Sequence, residues 1–78
     1  MDLELEDHIV IIEDKFNYNM KSVNQKGVIK GVLPDDKLYM ICTEDDIEGW
    51  GNKPLGIPCG HGITCYRDEL MLVKKGDK

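Results

Sequence analysis

Val28-Ile29-Lys30-Gly31-Val32-Leu33, then Pro34-Asp35-Asp36-Lys37, then Leu38-Tyr39-Met40-Ile41-Cys42-Thr43: this run decides the fold. Both flanks are rich in β-branched and aromatic residues, which fit a pleated surface. Between them, proline presets φ and Asp tolerates the turn conformations that follow. The run therefore predicts a hairpin. Gly31 interrupts the first strand and predicts a bulge or sharp bend.

Working outward, His8-Ile9-Val10-Ile11-Ile12 predicts another short strand, and Leu3 and Leu5 alternate with acids in an N-terminal arm or edge strand over residues 1–7. Residues 13–26 are polar and show no helical spacing, so they read as a long loop carrying Phe16, Tyr18 and Met20. Residues 44–60 are dense in Gly and Pro and read as an irregular loop around Trp50. A strand follows over about Gly62–Arg67, then a turn at Asp68-Glu69-Leu70, a closing strand at Met71-Leu72-Val73, and a solvated tail over 74–78. No segment supports a helix of several turns.

About five short strands, with a long loop after the first and a tight hairpin in the middle, describe an all-β chain folded as one small barrel over residues 8–73. In Val10-Ile11-Ile12, Gly27-Val28-Ile29, Leu38-Tyr39-Met40-Ile41 and Asp68-Glu69-Leu70 with Leu72-Val73, the chain resembles the SH3-like barrels of the photosystem I type and of mind-bomb type repeats. It also resembles small barrel proteins of Gram-positive phages and prophages. The resemblance implies a fold rather than a chemistry. The Ala-Leu-Tyr-Asp-Tyr run of signalling SH3 domains is absent.

With 78 residues, 41% of them hydrophobic and 32% charged, the chain has the composition of one folded globular domain. No apolar run approaches the ~20 residues of a membrane-spanning helix. The acidic start (Asp2, Glu4, Glu6, Asp7) is unlike a signal peptide. Three cysteines, an odd number, fit reduced thiols, so a cytoplasmic setting is expected and no membrane partner. The net charge of −5 is unevenly spread: four lysines and no acid from Lys15 to Pro34, then six acids and one lysine from Asp35 to Trp50. An acidic chain is poorly suited to binding nucleic acid directly.

Cys42, Cys59, His61 and Cys65 are the residues that could ligate zinc. In an extended segment, His61 and Cys65 would lie ~13 Å apart at ~3.3 Å per residue, too far for one ion. No metal and no cofactor are expected, and the alternative reading makes Cys42 and Cys65 small hydrophobes in strands. A thiol nucleophile would need a base, an orienting group and a cleft, and no enzyme signature surrounds any of the cysteines. Asp45-Asp46-Ile47-Glu48 lacks the EF-hand order.

Phe16, Tyr18 and Trp50 fall in the two long loops, where exposed aromatics signal binding. Trp50 could equally plug the core. In the central strand, Tyr39, Ile41 and Thr43 share one face and Leu38, Met40 and Cys42 the other, and both faces are largely apolar. The Tyr39 and Ile41 face should be core, with Val28 or Ile29, Val32 or Leu33, Ile63 and Leu72. The other needs a cover: Leu3 and Leu5 of the arm, or a second chain in a homodimer or complex. The expectation is a non-enzymatic module serving a protein partner, as adaptor or small inhibitor, through Phe16, Tyr18, Leu38, Met40 and Trp50. The alternative is a nucleic-acid-linked role, through DNA mimicry by residues 35–48 against a nuclease or polymerase, or through phosphate contacts of the lysine-rich residues 15–30.

Overall fold

The computed structural model describes residues 3–16, 19–33 and 37–76. The expected hairpin is present: β2 (Lys26–Leu33) pairs antiparallel with β3 (Leu38–Thr43), from Leu33 opposite Leu38 to Gly27 opposite Thr43. Its register shifts between Ile29 and Gly31, where the glycine predicted a bulge. Around it lie β1 (His8–Ile11), β4 (Trp50–Asn52), β5 (Ile57–Tyr66) and β6 (Leu70–Lys74). Three single-turn 3-10 segments, Met20–Ser22, Lys53–Leu55 and Arg67–Glu69, complete the regular structure. The chain is all-β, with one antiparallel sheet in the order β4-β5-β3-β2-β1-β6. Among the described residues β4 and β6 do not pair, so hydrogen bonds do not close the sheet into a barrel.

Among the described residues the strands number six rather than about five. β4 and the first half of β5 lie in the segment that reads as irregular loop. Gly and Pro weaken strand signals because one removes a side chain and the other a donor. Here they serve the pairing: Gly51 lies so close to the Cys59 backbone that a Cβ would come within 2.7 Å of it. Gly60 takes a left-handed φ of 96°.

The core is the inward face of this sheet. Ile9, Ile11, Ile29, Tyr39, Ile41, Ile63, Cys65 and Leu70 form one buried cluster with Leu3 and Ile47. Strand alternation carries most of it, with Ile29 opposite Ile41 opposite Ile63, and Tyr39 opposite Cys65. Two expected core placements are corrected, that of Val32 or Leu33 and that of Leu72. Val32 and Leu33 are over a third exposed, because both stand at the turn end of the hairpin, Val32 opposite Tyr39 on the inward side and Leu33 opposite Leu38 on the outward side. Leu72 is 40% exposed: it shares Leu70's side of β6, but β6 is the outermost strand.

The arm does not cover the outer face of β3. Leu3 turns into the core and Leu5 stays exposed. The segment is a turn rather than an edge strand, tied to β2 by Glu6 N–H donating to Ile29 O (2.8 Å) and Ile29 N–H to Asp7 O (3.0 Å). Asp7 is itself buried. Its carboxylate accepts from Glu4 N–H (2.8 Å), Lys75 Nζ (2.7 Å) and Gly76 N–H (3.0 Å), joining arm to tail. The first residues of the expected solvated tail are thus anchored, not free.

Candidate functional site

The outer face of the sheet is built around two glycines. Met40 lies over Gly31, its opposite number on β2, and the indole of Trp50 lies on Gly62, its opposite number on β5. A Cβ at Gly62 would collide with the indole ring and the Trp50 carbonyl, so only glycine lets Trp50 lie flat there. Leu38, Met40 and Cys42 are half-buried on this face.

Trp50 is not the core plug. It is 36% exposed, while Ile47, three residues earlier, is fully buried in the core cluster. Acids flank Ile47 on both sides, which hides it in the sequence. Its position is fixed by Ile47 N–H donating to Gly60 O (2.9 Å) and by Asn19 Nδ2 donating to Ile47 O (2.9 Å). The second bond ties the loop after β1 to the loop before β4, and the Lys21–Glu48 ion pair adds to it.

Beside Trp50 the outer face opens into a groove of about 450 Å³, lined by Leu38, Trp50, Thr64 and Tyr66, with Asn19, Glu48 and Glu69 at its sides. Leu38 lies directly opposite Tyr66 across β3 and β5. The Tyr66 ring meets Phe16 with centroids 5.4 Å apart and planes inclined at 51°, within the range of favourable aromatic pairs. Buried Glu69 ties the loop after β1 to the end of β5. Its carboxylate accepts from Tyr66 N–H (2.7 Å) and Lys15 N–H (2.9 Å), so one side chain positions Tyr66 and the residue before Phe16.

Of the expected binding residues, Leu38 and Trp50 share this groove and Phe16 lies beside it on Tyr66. Met40 does not line it, and Tyr18 lies outside the described residues. Sequence reasoning does not find Tyr66 and Glu69. They stand at a strand end and in a turn, where apolar alternation carries no signal.

The other candidate chemistries disperse. Cys42 is on the outward face, Cys65 is buried on the inward face and Cys59 is exposed. His61 is held by its Nδ1–H donating to Thr43 O (2.8 Å). Among the described residues no three His, Cys, Asp or Glu side chains are grouped closely enough to hold a metal ion. Burial, with the Glu69 and Asp14 charges adding, pushes the Cys65 thiol up to about 12, so it stays protonated. Three of the four lysines between 15 and 30 face carboxylates: Lys15 on Asp68, Lys21 on Glu48 and Lys30 on Glu6. Of the acidic segment, Asp35 and Asp36 lie outside the described residues, and Asp46 folds back to accept from Glu48 N–H (2.7 Å). Among the described residues no helix is long and apolar enough to cross a membrane.

Comparison of the chain with protein-family models, with curated proteins and with solved structures found no match.

Proposed function

We propose that the chain is a non-enzymatic interaction module for a protein partner, an adaptor or small inhibitor, and that the partner docks in the groove between Leu38, Trp50 and Tyr66. The observation that carries this reading is the placement of Trp50. The chain's single Trp is laid over a glycine at the surface, beside a second exposed aromatic, while an isoleucine fills the core. Trp and Tyr are the side chains that most often dominate binding energy in such settings. We read the fold as an SH3-like barrel in the broad sense. The adjacency of first and last strands, the long loop between β1 and β2 and the central hairpin support it. The lysine-rich loop supports phosphate contacts less well, because most of its charge is already met by carboxylates.

Because Trp50 is the only indole, its fluorescence reports the groove directly. Peptides selected from a display library against the immobilised chain should shift and titrate Trp50 emission. By calorimetry, Tyr66→Ala and Trp50→Ala should each weaken a selected peptide ~30-fold, the scale of a hot-spot residue of ~2 kcal/mol. Selected peptides that bind but leave Trp50 emission and both variants' affinities unchanged would remove the groove from the account.

A further inference from the structure

The groove at Trp50 holds a charge that the chain itself does not answer. Glu69 lies in its wall and is only 5% exposed. Both carboxylate oxygens act as acceptors, one from Tyr66 N–H (2.7 Å) and the other from Lys15 N–H (2.9 Å), as an ionised carboxylate does. Backbone N–H groups satisfy hydrogen bonds but bring no positive charge. The Lys15 ammonium is turned onto Asp68 instead, and the Arg67 guanidinium onto the Leu70 carbonyl (3.1 Å). Among the described residues no lysine, arginine or histidine forms an ion pair with Glu69. A buried charge without a counter-charge is costly, and buried acids are normally paired.

The other walls narrow what can supply the counter-charge. Among the described residues that line the groove none is basic. The second acid there, Glu48, is already met by Lys21, so Glu69 is the charge left unanswered. The rest is aromatic and apolar, with Trp50 36% and Tyr66 39% exposed beside Leu38. Indole and phenol rings attract a cation over their faces. An ammonium is strongly hydrated, whereas a guanidinium is planar, weakly hydrated and stacks on aromatic rings. Each Glu69 oxygen uses one acceptor position on a backbone N–H and keeps another, which suits the forked donors of a guanidinium. The net charge of −5 draws a cationic segment toward the chain.

We propose that the groove takes an arginine of the partner protein, its guanidinium packed against the Trp50 indole and charge-paired with Glu69. This rests on the groove being the docking site and adds the chemistry of its occupant. An acidic or purely apolar segment would leave Glu69 enclosed without a counter-charge.

Peptides selected by display against the immobilised chain test this. Those that shift Trp50 emission should be enriched in arginine. For one such peptide, citrulline in place of the arginine keeps the shape and removes the charge, and should weaken binding about tenfold or more by calorimetry. Lysine at the same position should weaken it about threefold or more. In Glu69→Gln, with the fold checked by circular dichroism, the citrulline penalty should shrink. The citrulline comparison on the unaltered chain carries the test alone should that variant fail to fold. Peptides that move Trp50 emission and lose affinity in Tyr66→Ala, yet lack arginine or bind equally well with citrulline, would overturn the arginine and leave the groove standing. Lysine as good as arginine would overturn the choice of cation, and an unchanged citrulline penalty in folded Glu69→Gln would overturn the pairing with Glu69. Peptides that bind without moving Trp50 emission, or a selection that yields no binder, would overturn the groove and this inference with it.

Discussion

Replacing Asp7 with Asn should be among the most damaging changes outside the core. The buried carboxylate accepts three bonds, from the backbone N–H of Glu4 and Gly76 and from the Lys75 ammonium, and so joins arm to tail. The amide keeps the shape but turns one oxygen into a donor. At least one of the three donors then faces an N–H₂. A hydrogen bond to a charged group contributes ~1.5–3 kcal/mol, and a buried donor left unmet costs ~1–3 kcal/mol. Lys75 retains Glu4 at 3.1 Å, which softens the loss. A net cost of ~2–4 kcal/mol follows, equivalent to a fall in melting temperature of roughly 10–30 °C for a domain of this size. The pH dependence sharpens the test. Burial alone would raise the Asp7 pKa, but the bonds from Lys75, Gly76 and Glu4 outweigh it and hold the carboxyl at about 2, against 3.8 for an unperturbed Asp. The folded state thus binds fewer protons than the unfolded one between these values. Its stabilisation is fully present above 3.8 and is lost as pH falls through about 2. Urea melts of parent and Asp7→Asn should differ most near neutral pH and converge toward pH 2. Superimposable melts at neutral pH, or a constant gap down to pH 2, would refute the reasoning.

Gly62→Ala should displace the Trp50 indole and alter its emission, at an overpacking cost of ~1–3 kcal/mol, whereas Gly31→Ala meets only the flexible end of Met40 and should be milder. Ile41→Ala, at the centre of the core, should cost ~2–5 kcal/mol by thermal melting, and Leu72→Ala, 40% exposed, clearly less. Thiol labelling of the folded chain should modify exposed Cys59 first and spare Cys65 until denaturant is added. Equal labelling rates for the two would contradict the burial of β5's inward face.

The hairpin and its bulge were legible because local signals agreed: two β-branched runs, a turn with a mechanism, and one glycine where the register shifts. Ile41, Tyr39 and Ile63 followed from alternation. Ile47 did not, because its burial comes from long-range bonds to Gly60 and Asn19 across an acidic loop. β4 and the first half of β5 were hidden by the glycines that their close pairing requires. The destinations of Leu3 and Leu72 turned on tertiary placement, one tucked inward and the other left at an edge, which period-two patterning cannot distinguish. At the candidate site, Leu38 was read from strand alternation and Trp50 from residue type. Tyr66 and Glu69 were not, since their roles arise from one buried carboxylate joining the loop after β1 to the end of β5, far apart in sequence.

The most direct test of the central claim is an amide and indole chemical-shift map of the labelled chain titrated with a peptide selected for binding. Perturbations should concentrate at the Trp50 indole, Leu38, Thr64 and Tyr66, extend to Phe16, and leave Met71, Leu72 and Val73 unmoved. A map centred on β6, on the lysines of residues 15–30, or spread without focus over the surface would contradict the assignment of the groove as the partner-binding site.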